Sequence, residues 1–585
     1  MLAKLISSLL LMSGVASAAT YQWTGNVSIT WTDQANWMPA GSSGGSFPVT
    51  LTNGPAATGG TFLTSRLNVN NVTGQELVYS ADMGTTIYGG DANGRGLVIG
   101  SNSNGNMTIT GGTFSSSPSI AEDVIGHLGA KGTLNINGGQ FIGSTKGTIL
   151  GWMRFGKPTD GIGIINVNGG NATFGTIYMA NYELNTSATI NLNGGNISAQ
   201  DITKEGRYIT GNSTINFNGG ILSARTENKN FINVSNANVL AGGASIDTAG
   251  YDITIRQSLK TGTSSDGGLT KTGEGELRLS GTNTYNGATK VNGGILTYAY
   301  TSAKTGGNTT VSRGATLGLG VSDVHAGYFS TANLNQLINN TLSKVSLDPE
   351  AIVGIDTSAG NFTYTPAATT TRGLTKLGAN TLTFTGAYNF TNMTSVHEGT
   401  LLLTGDCSGG EISVDPKGRI SGNATVRNHV TVNGVLMPGS NETNLTQLNL
   451  MGGLTMGANS IISIGLGPTE SEHGTIQFGV LSANAFAANQ TFTFLDLGAT
   501  AGTRYTSILS GLTEDPGVSN WLVANKDWTG TFFYDQGDVD FQLIAIPEPT
   551  ISYLLITSFV LAAMRRRHLM KSMAPKIAAA AAQCQ

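Results

Sequence analysis

The chain has almost no cysteine. Cys407 and Cys584 are the only two in 585 residues, so a disulfide framework is not expected. Proline is sparse at 14 residues, and charged residues reach only 11%, under half the usual quarter. The net charge of −4 supplies no basic field, so no nucleic-acid partner is expected. Long apolar runs are confined to the two ends. Carboxylates do not recur as pairs in a common register: Asp247, Asp252 and Asp266 are scattered. Asp123, His127 and Asp160 share no metal-ligand spacing. No catalytic residue, cofactor or metal site is therefore assigned. What the chain has in excess is glycine, 82 residues, about twice the usual share.

Those glycines are organised. One phrase occurs five times between Asn106 and Arg225: MTITGG, LNINGG, INVNGG, INLNGG and INFNGG. The Gly pairs begin at Gly111, Gly138, Gly169, Gly194 and Gly219, in steps of 27, 31, 25 and 25 residues. A period in this range marks a stacked array. Each phrase alternates: Leu134, Ile136 and Gly138 fall on one side, Thr133, Asn135 and Asn137 on the other. A period of two means a half-buried strand. Gly-Gly permits a corner with φ > 0. Three short strands with corners need roughly 22–30 residues, one coil of a parallel β-helix. Hairpins in a β-sandwich are the competing reading. The intervening apolar pieces VIGHLG, ILGWMRFG and IYMAN supply further strands. Ile136, Val167, Leu192 and Phe217 share one place in the phrase and should stack inside; Asn137, Asn168, Asn193 and Asn218 should form a ladder at the corner.

Along the chain, 1–18 reads as a signal peptide. Lys4 gives the positive start, Leu5 to Met12 the apolar stretch, and Ala16-Ser17-Ala18 the cleavage site before Ala19. Residues 19–105 hold a cap with Trp23, Trp31 and Trp37, then degenerate coils. Exposed tryptophans could stack on sugars, but a sealed first coil is the simpler reading. The regular coils occupy 106–267, and further coils 268–467. Ser330 to Val345 has Leu334, Leu337, Ile338, Leu342 and Val345 at helical spacing, a helical excursion over 330–345. A β-rich cap fills 468–546. Asp535, Asp538 and Asp540 read as an acidic turn before the last strand, because no calcium loop follows them.

A second repeat lies in the later coils. GLTKTGEGELRLSGTNTYNGATKVNGGIL (268–296) aligns without a gap on GLTKLGANTLTFTGAYNFTNMTSVHEGTL (373–401), at an offset of 105. Lys271 matches Lys376, Gly273 matches Gly378, and Tyr285 is answered by Phe390. This resembles the passenger-associated transport repeat, also called the autotransporter-associated β-strand repeat, with its LTKxGxGxLxLxGxNxYxGxTxVxxGxL pattern. The second copy departs at Ala379-Asn380 and Asn392. The resemblance implies a right-handed parallel β-helix in an exported surface protein, and no catalytic residue. The two lysines are expected on a solvated face of the coil. GVLMPGS, from Gly434, resembles the GxLxPG phrase that follows such repeats.

The end of the chain places Pro547-Glu548-Pro549 before the apolar run 550–564 and Arg565, Arg566 and Arg567. As a helix the run covers about 22 Å, short of a roughly 30 Å bilayer core, unless the membrane thins or the arginines snorkel. The arginines favour a cytoplasmic end. This order over 547–567 resembles the PEP-CTERM sorting signal, which implies an exosortase as partner. Such signals usually stop after the arginines, whereas 568–585 continues as a basic, Ala-rich tail.

The expected fold is thus all-β: an elongated right-handed parallel β-helix (β-solenoid) with a C-terminal β-rich cap and a single short transmembrane helix. The expected function is an exosortase-sorted surface or extracellular-matrix protein, non-enzymatic, serving adhesion or envelope structure. Such a protein would be held briefly at the inner membrane and then contact extracellular polysaccharide or host surface glycans. The alternative is a polysaccharide-active β-helix enzyme, a lyase or glycosidase, since fold alone does not decide function.

Overall fold

The computed structural model describes residues 95–101, 104–116, 122–127, 129–152, 161–180, 186–204, 211–439, 445–480 and 482–546, with six short strands between 21 and 86. The signal-peptide positions Ala16, Ala18 and Ala19 lie outside the described residues. So do Asp160, Pro547, Glu548, Pro549, Arg565, Arg566, Arg567 and the apolar run 550–564. Among the described residues no helix is long and apolar enough to cross a membrane. The chain divides into two compact units. The first is Met1–Phe362 with Thr370–Asn380 and Phe390–Asn392; the second is Thr363–Thr369, Thr381–Asn389 and Met393–Gln585.

In the first unit the five phrases form strands Gly105–Ile109, Lys131–Ile136, Ile162–Val167, Ser187–Leu192 and Asn212–Phe217. Each pairs with the next, in parallel and in register. Parallel pairing needs a crossover, and here two more strands of each coil provide it. After the corner comes a short strand, such as Gln140–Ile142, paired in parallel with Asn171–Thr173. The third is the apolar piece between phrases: Glu122–His127 pairs with Thr148–Trp152, which pairs with Thr176–Met179. Three stacked parallel sheets result, as in a β-helix, and hairpins are excluded for the phrases. Ile136, Val167, Leu192 and Phe217 stand opposite one another and are wholly buried.

The corner explains the glycine pair. Gly112, Gly139, Gly170 and Gly195 take φ of 63°, 65°, 67° and 60°, the left-handed region that glycine enters without steric cost. A Cβ on Gly139 would lie 2.5 Å from the carbonyl carbon of Gly111 in the coil before. In the fifth phrase the positive φ moves to Gly219, at 103°. Its N–H donates to the Gly243 carbonyl in the next coil at 2.9 Å.

Further along the first unit the coil narrows. The sheet of apolar pieces ends at Ile232–Asn233, and the phrase sheet at Leu259–Thr261. Two sheets then carry the coils. In one, Leu269–Thr272 lies between Ala244–Asp247 and Thr289–Val291. In the other, Glu276–Leu279 lies between Ile253–Ile255 and Ile295–Tyr298. The helix is Thr331–Ile338, capped by Ser330, whose Oγ accepts the Asn333 N–H while Asn333 Oδ1 accepts the Ser330 N–H. Leu334, Leu337 and Ile338 are buried. The expected span to residue 345 is too long. Asn340 turns to φ 55°, and Val345–Leu347 leaves the helix to pair with Thr309–Val311. Parallel pairing overrides helical spacing there.

In the second unit, Thr381–Phe384, Thr394–Leu403 and Ile412–Gly422 pair in parallel. Parallel pairing continues past residue 467, through Ile461–Leu466, Thr491–Asp496 and Leu522–Val523. The other sheet ends differently: Asp538–Ala545 is antiparallel to both Arg504–Ser510 and Thr529–Asp535. This change of direction stops further parallel stacking on that edge. Phe492, Phe494, Trp521, Phe532 and Phe541 pack beneath it, with Phe494 and Phe541 centroids 4.1 Å apart. Cys407 is buried, and burial pushes its thiol up to about 12, so it stays an unreactive thiol.

Candidate functional site

Alternation in the phrase strands sends every second side chain outward, and parallel register sets equivalent residues about 4.8 Å apart. At that spacing an asparagine amide can donate to the carbonyl oxygen of the asparagine before it. The corner ladder forms this way: Asn168 Nδ2 donates to Asn137 Oδ1 at 2.8 Å, Asn193 to Asn168 at 2.9 Å, and Asn218 to Asn193 at 3.2 Å. It ends where Asn218 Oδ1 accepts the Gly242 N–H at 3.0 Å.

A second ladder was not anticipated. Asn135 donates to Asn106 and Thr108, Asn166 to Asn135, Asn191 to Asn166, Asn216 to Asn191, and Asn238 to Asn216, at 2.7–3.1 Å. It was legible in the phrase, since Asn135, Asn166, Asn191 and Asn216 recur two positions before the corner asparagines. An amide in a ladder spends an N–H on the coil before and a lone pair on the coil after. The result is a regular polar face, fixed before any ligand arrives.

Asp123 and His127 are buried. Asp123 Oδ1 accepts the Leu97 N–H at 3.2 Å; Oδ2 accepts the Ser144 N–H at 2.8 Å and the Ser116 hydroxyl at 2.6 Å. It ties neighbouring coils together. Burial pushes its carboxyl up to about 6, against those hydrogen bonds. His127 stands between Ser101 and Trp152 in strand register. Among the described residues no three acidic, histidine or cysteine side chains gather to hold a metal. Asp266 is spent on the Gly268, Asn286 and Gly287 N–H groups. Asp538 and Asp540 lie within the last strand rather than in a turn before it. Asp540 pairs with Arg504 at 2.8 Å, and Asp538 accepts from Ser507.

The lysines overturn one expectation. Lys271 and Lys376 are both 0% exposed, not on a solvated face. Strand parity explains it: Lys271 shares its face with Leu269, and Lys376 with Leu374, so both point inward. Lys271 stands opposite Ile246 and Val291, and Lys376 opposite Ile355. The apolar stem lies in the core column, and the ammonium ends at the coil corner. Lys271 Nζ donates to Thr248 Oγ1 at 3.1 Å and to the carbonyls of Thr272, Gly273 and Gly293 at 2.9, 2.6 and 3.1 Å. Lys376 Nζ donates to Thr357 Oγ1 at 2.9 Å, to the Leu377 carbonyl at 3.0 Å and to the Gly378 carbonyl.

Burial pushes Lys271 down to about 8. Asp247, Glu274, Asp252 and Glu276 pull it back, so it is protonated at neutral pH. Both threonines belong to a short phrase one coil upstream, Ile246-Asp247-Thr248 and Ile355-Asp356-Thr357. That repeated Ile-Asp-Thr was the sequence signal for the corner. The tyrosines also differ from the gap-free alignment. Tyr285 OH bonds Thr289 in the first copy, whereas Tyr388, not Phe390, bonds Thr394 in the second.

Residues 269–297 and 374–403 match the model of the passenger-associated-transport-repeat. The chain is also similar to the protein named Adhesin BmaC autotransporter, from Brucella suis biovar 1 (strain 1330), being 29% identical over 156 residues. That stretch is 25% of this chain and 4% of the Brucella protein. Both lysine corners therefore fall in segments similar to passenger-associated transport repeats, and each draws its threonine from the coil before the matched segment.

Proposed function

We propose that this chain is an exported bacterial surface or extracellular-matrix protein of the adhesin kind, a right-handed β-helix without enzymatic activity. The observation that carries the reading is that the first segment matching a passenger-associated transport repeat folds as successive parallel coils. Right-handedness follows the rule for parallel crossovers. The similarity to an adhesin autotransporter supports the surface role. The Asn-laddered face is the surface offered to a partner. Its amides suit the hydroxyls of extracellular polysaccharide or host glycans.

In this reading the signal peptide is cut before Ala19, and the chain is held at the inner membrane by 550–564. An exosortase-type enzyme then processes it at Pro547-Glu548-Pro549. Proline has a fixed φ and no N–H for a strand ladder, which suits a recognition motif for such an enzyme. The test is fractionation of cells carrying Pro547→Ala/Glu548→Ala/Pro549→Ala. The uncut protein is expected to accumulate in the inner membrane with export by the signal peptide intact. Normal-sized triple variant at the surface or in the medium would reduce the motif to a linker.

A further inference from the structure

We infer that the oxygen-lined corner at Thr248, and its counterpart at Thr357, is a site for a primary ammonium ion. The chain fills each with its own lysine and so latches the repeat onto the coil before it.

The geometry is that of a cation site. Around Lys271 Nζ stand one hydroxyl and three carbonyl oxygens, all neutral, at 2.6–3.1 Å. An ammonium has three N–H donors and no acceptor, and every group facing it is an acceptor. The ligands come from three successive coils: Thr248 from the one before, Thr272 and Gly273 from the repeat itself, Gly293 from the one after. A single buried charge thereby ties three coils.

The site is built twice with the same parts. Ile246 opposite Lys271 is repeated as Ile355 opposite Lys376. Gly273 and Gly378 both take φ 78°. A Cβ on Gly273 would lie 2.6 Å from the Ala249 nitrogen, and one on Gly378 2.6 Å from Asp356 Oδ1. The aspartates of the phrase shape the turn: Asp247 Oδ1 accepts the Ala249 N–H at 2.9 Å, and Asp356 Oδ1 the Ser358 N–H at 2.9 Å. Thr248 Oγ1 also lies 3.2 Å from the Thr272 and Gly275 carbonyls.

A lysine in an apolar column is costly if its charge is unsatisfied. Methionine would fill the same slot at no such cost. The lysine adds a donor at the corner in both repeats: the Thr272 and Leu377 carbonyls also accept the Thr248 and Thr357 N–H groups at 3.1 and 3.0 Å, whereas the Gly273 and Gly378 carbonyls take the ammonium. The polarity follows: a folded coil presents its threonine and open corner, and the next repeat to arrive closes it.

The experiment compares Lys271→Met, which keeps the stem, with Lys271→Ala, which empties the site. At neutral pH both should lower the melting midpoint by at least about 5 °C. n-Propylammonium chloride, equivalent to the missing part of the side chain, should restore at least half of the loss in Lys271→Ala. It should leave the wild type unmoved, and tetramethylammonium chloride, which has no N–H, should restore nothing. Wild-type stability in Lys271→Met, or equal action of the two salts, would overturn the inference.

Native acetylation read by mass spectrometry needs no variant at the lysine. Lys271 and Lys376 should stay unmodified while exposed Lys229 and Lys290 react. Thr248→Val should speed labelling of Lys271 at least about tenfold and leave Lys376 unchanged, since the loss of one ligand hydrogen bond loosens only its own corner. Labelling of Lys271 at the rate of Lys290, or no effect of Thr248→Val, contradicts it.

Discussion

Lys271 Nζ and Thr248 Oγ1 lie 3.1 Å apart across 23 residues of chain. The lysine belongs to a transport-repeat-like segment and the threonine to the coil before it. The working unit is therefore longer than the matched segment. The same bond joins Lys376 and Thr357 across 19 residues. A short Ile-Asp-Thr phrase upstream is thus part of the repeat's physical definition.

Gly273 is a tight point of that corner. Gly273→Ala forces a side chain into φ 78° and against the Ala249 nitrogen. The expected loss is about 2 kcal/mol or more, measured by urea unfolding. Gly314→Ala, at φ 71° with open space around its Cβ, should lose only about 1 kcal/mol, which separates backbone strain from crowding.

Two ladders predict unequal effects. Asn191 is half-buried and bonded to Asn166 and Asn216. Asn191→Ala should cost about 1–2 kcal/mol. Asn193, bonded to Asn168 and Asn218, is exposed at the corner, and Asn193→Ala should cost about 0.5 kcal/mol or less. Chemical denaturation of the pair checks the order.

The phrase strands and their core were readable from sequence because one rule governs both. Alternation chooses the inner face, and the Gly pair sets the period, so Leu192 could be placed opposite Phe217 without coordinates. What sequence missed were side chains whose chemistry argued against their parity. Charge argues for an outward Lys271, although its strand parity is that of Leu269. Local spacing puts Val345 on a helix because it is blind to the strand Thr309–Val311 that captures it. Tyr388 took over the hydroxyl role of Tyr285 by a shift of two positions along its strand, which preserves the face and so escapes a gap-free alignment.

Leu192 offers a direct test of the inward column. Leu192→Asp loses buried packing and adds an unpaired charge, an expected cost of roughly 4 kcal/mol or more. A thermal melt or loss of protease resistance reads it.

Asp123 makes stability depend on pH. Its carboxyl is raised from 3.8 to about 6 by burial, so the folded chain holds this proton more tightly than the unfolded one. Its contribution is fully present below about pH 4 and is lost as pH rises through about 6. Hydrogen exchange of the strands Glu122–His127 and Thr148–Trp152 should slow as pH falls over that window, after correction for intrinsic rates. Asp123→Asn should lower protection overall and flatten the dependence.

The claim that matters most is that this β-stack is displayed outside the cell. Intact cells expressing the full chain should be treated with a protease broad enough to cut exposed corners, then blotted with antibody raised against the purified protein, with a cytoplasmic protein as control. The account predicts that the mature protein is shaved from intact cells, or recovered from the medium, while the control survives. Full-length protein that stays protected until the cells are lysed would contradict it.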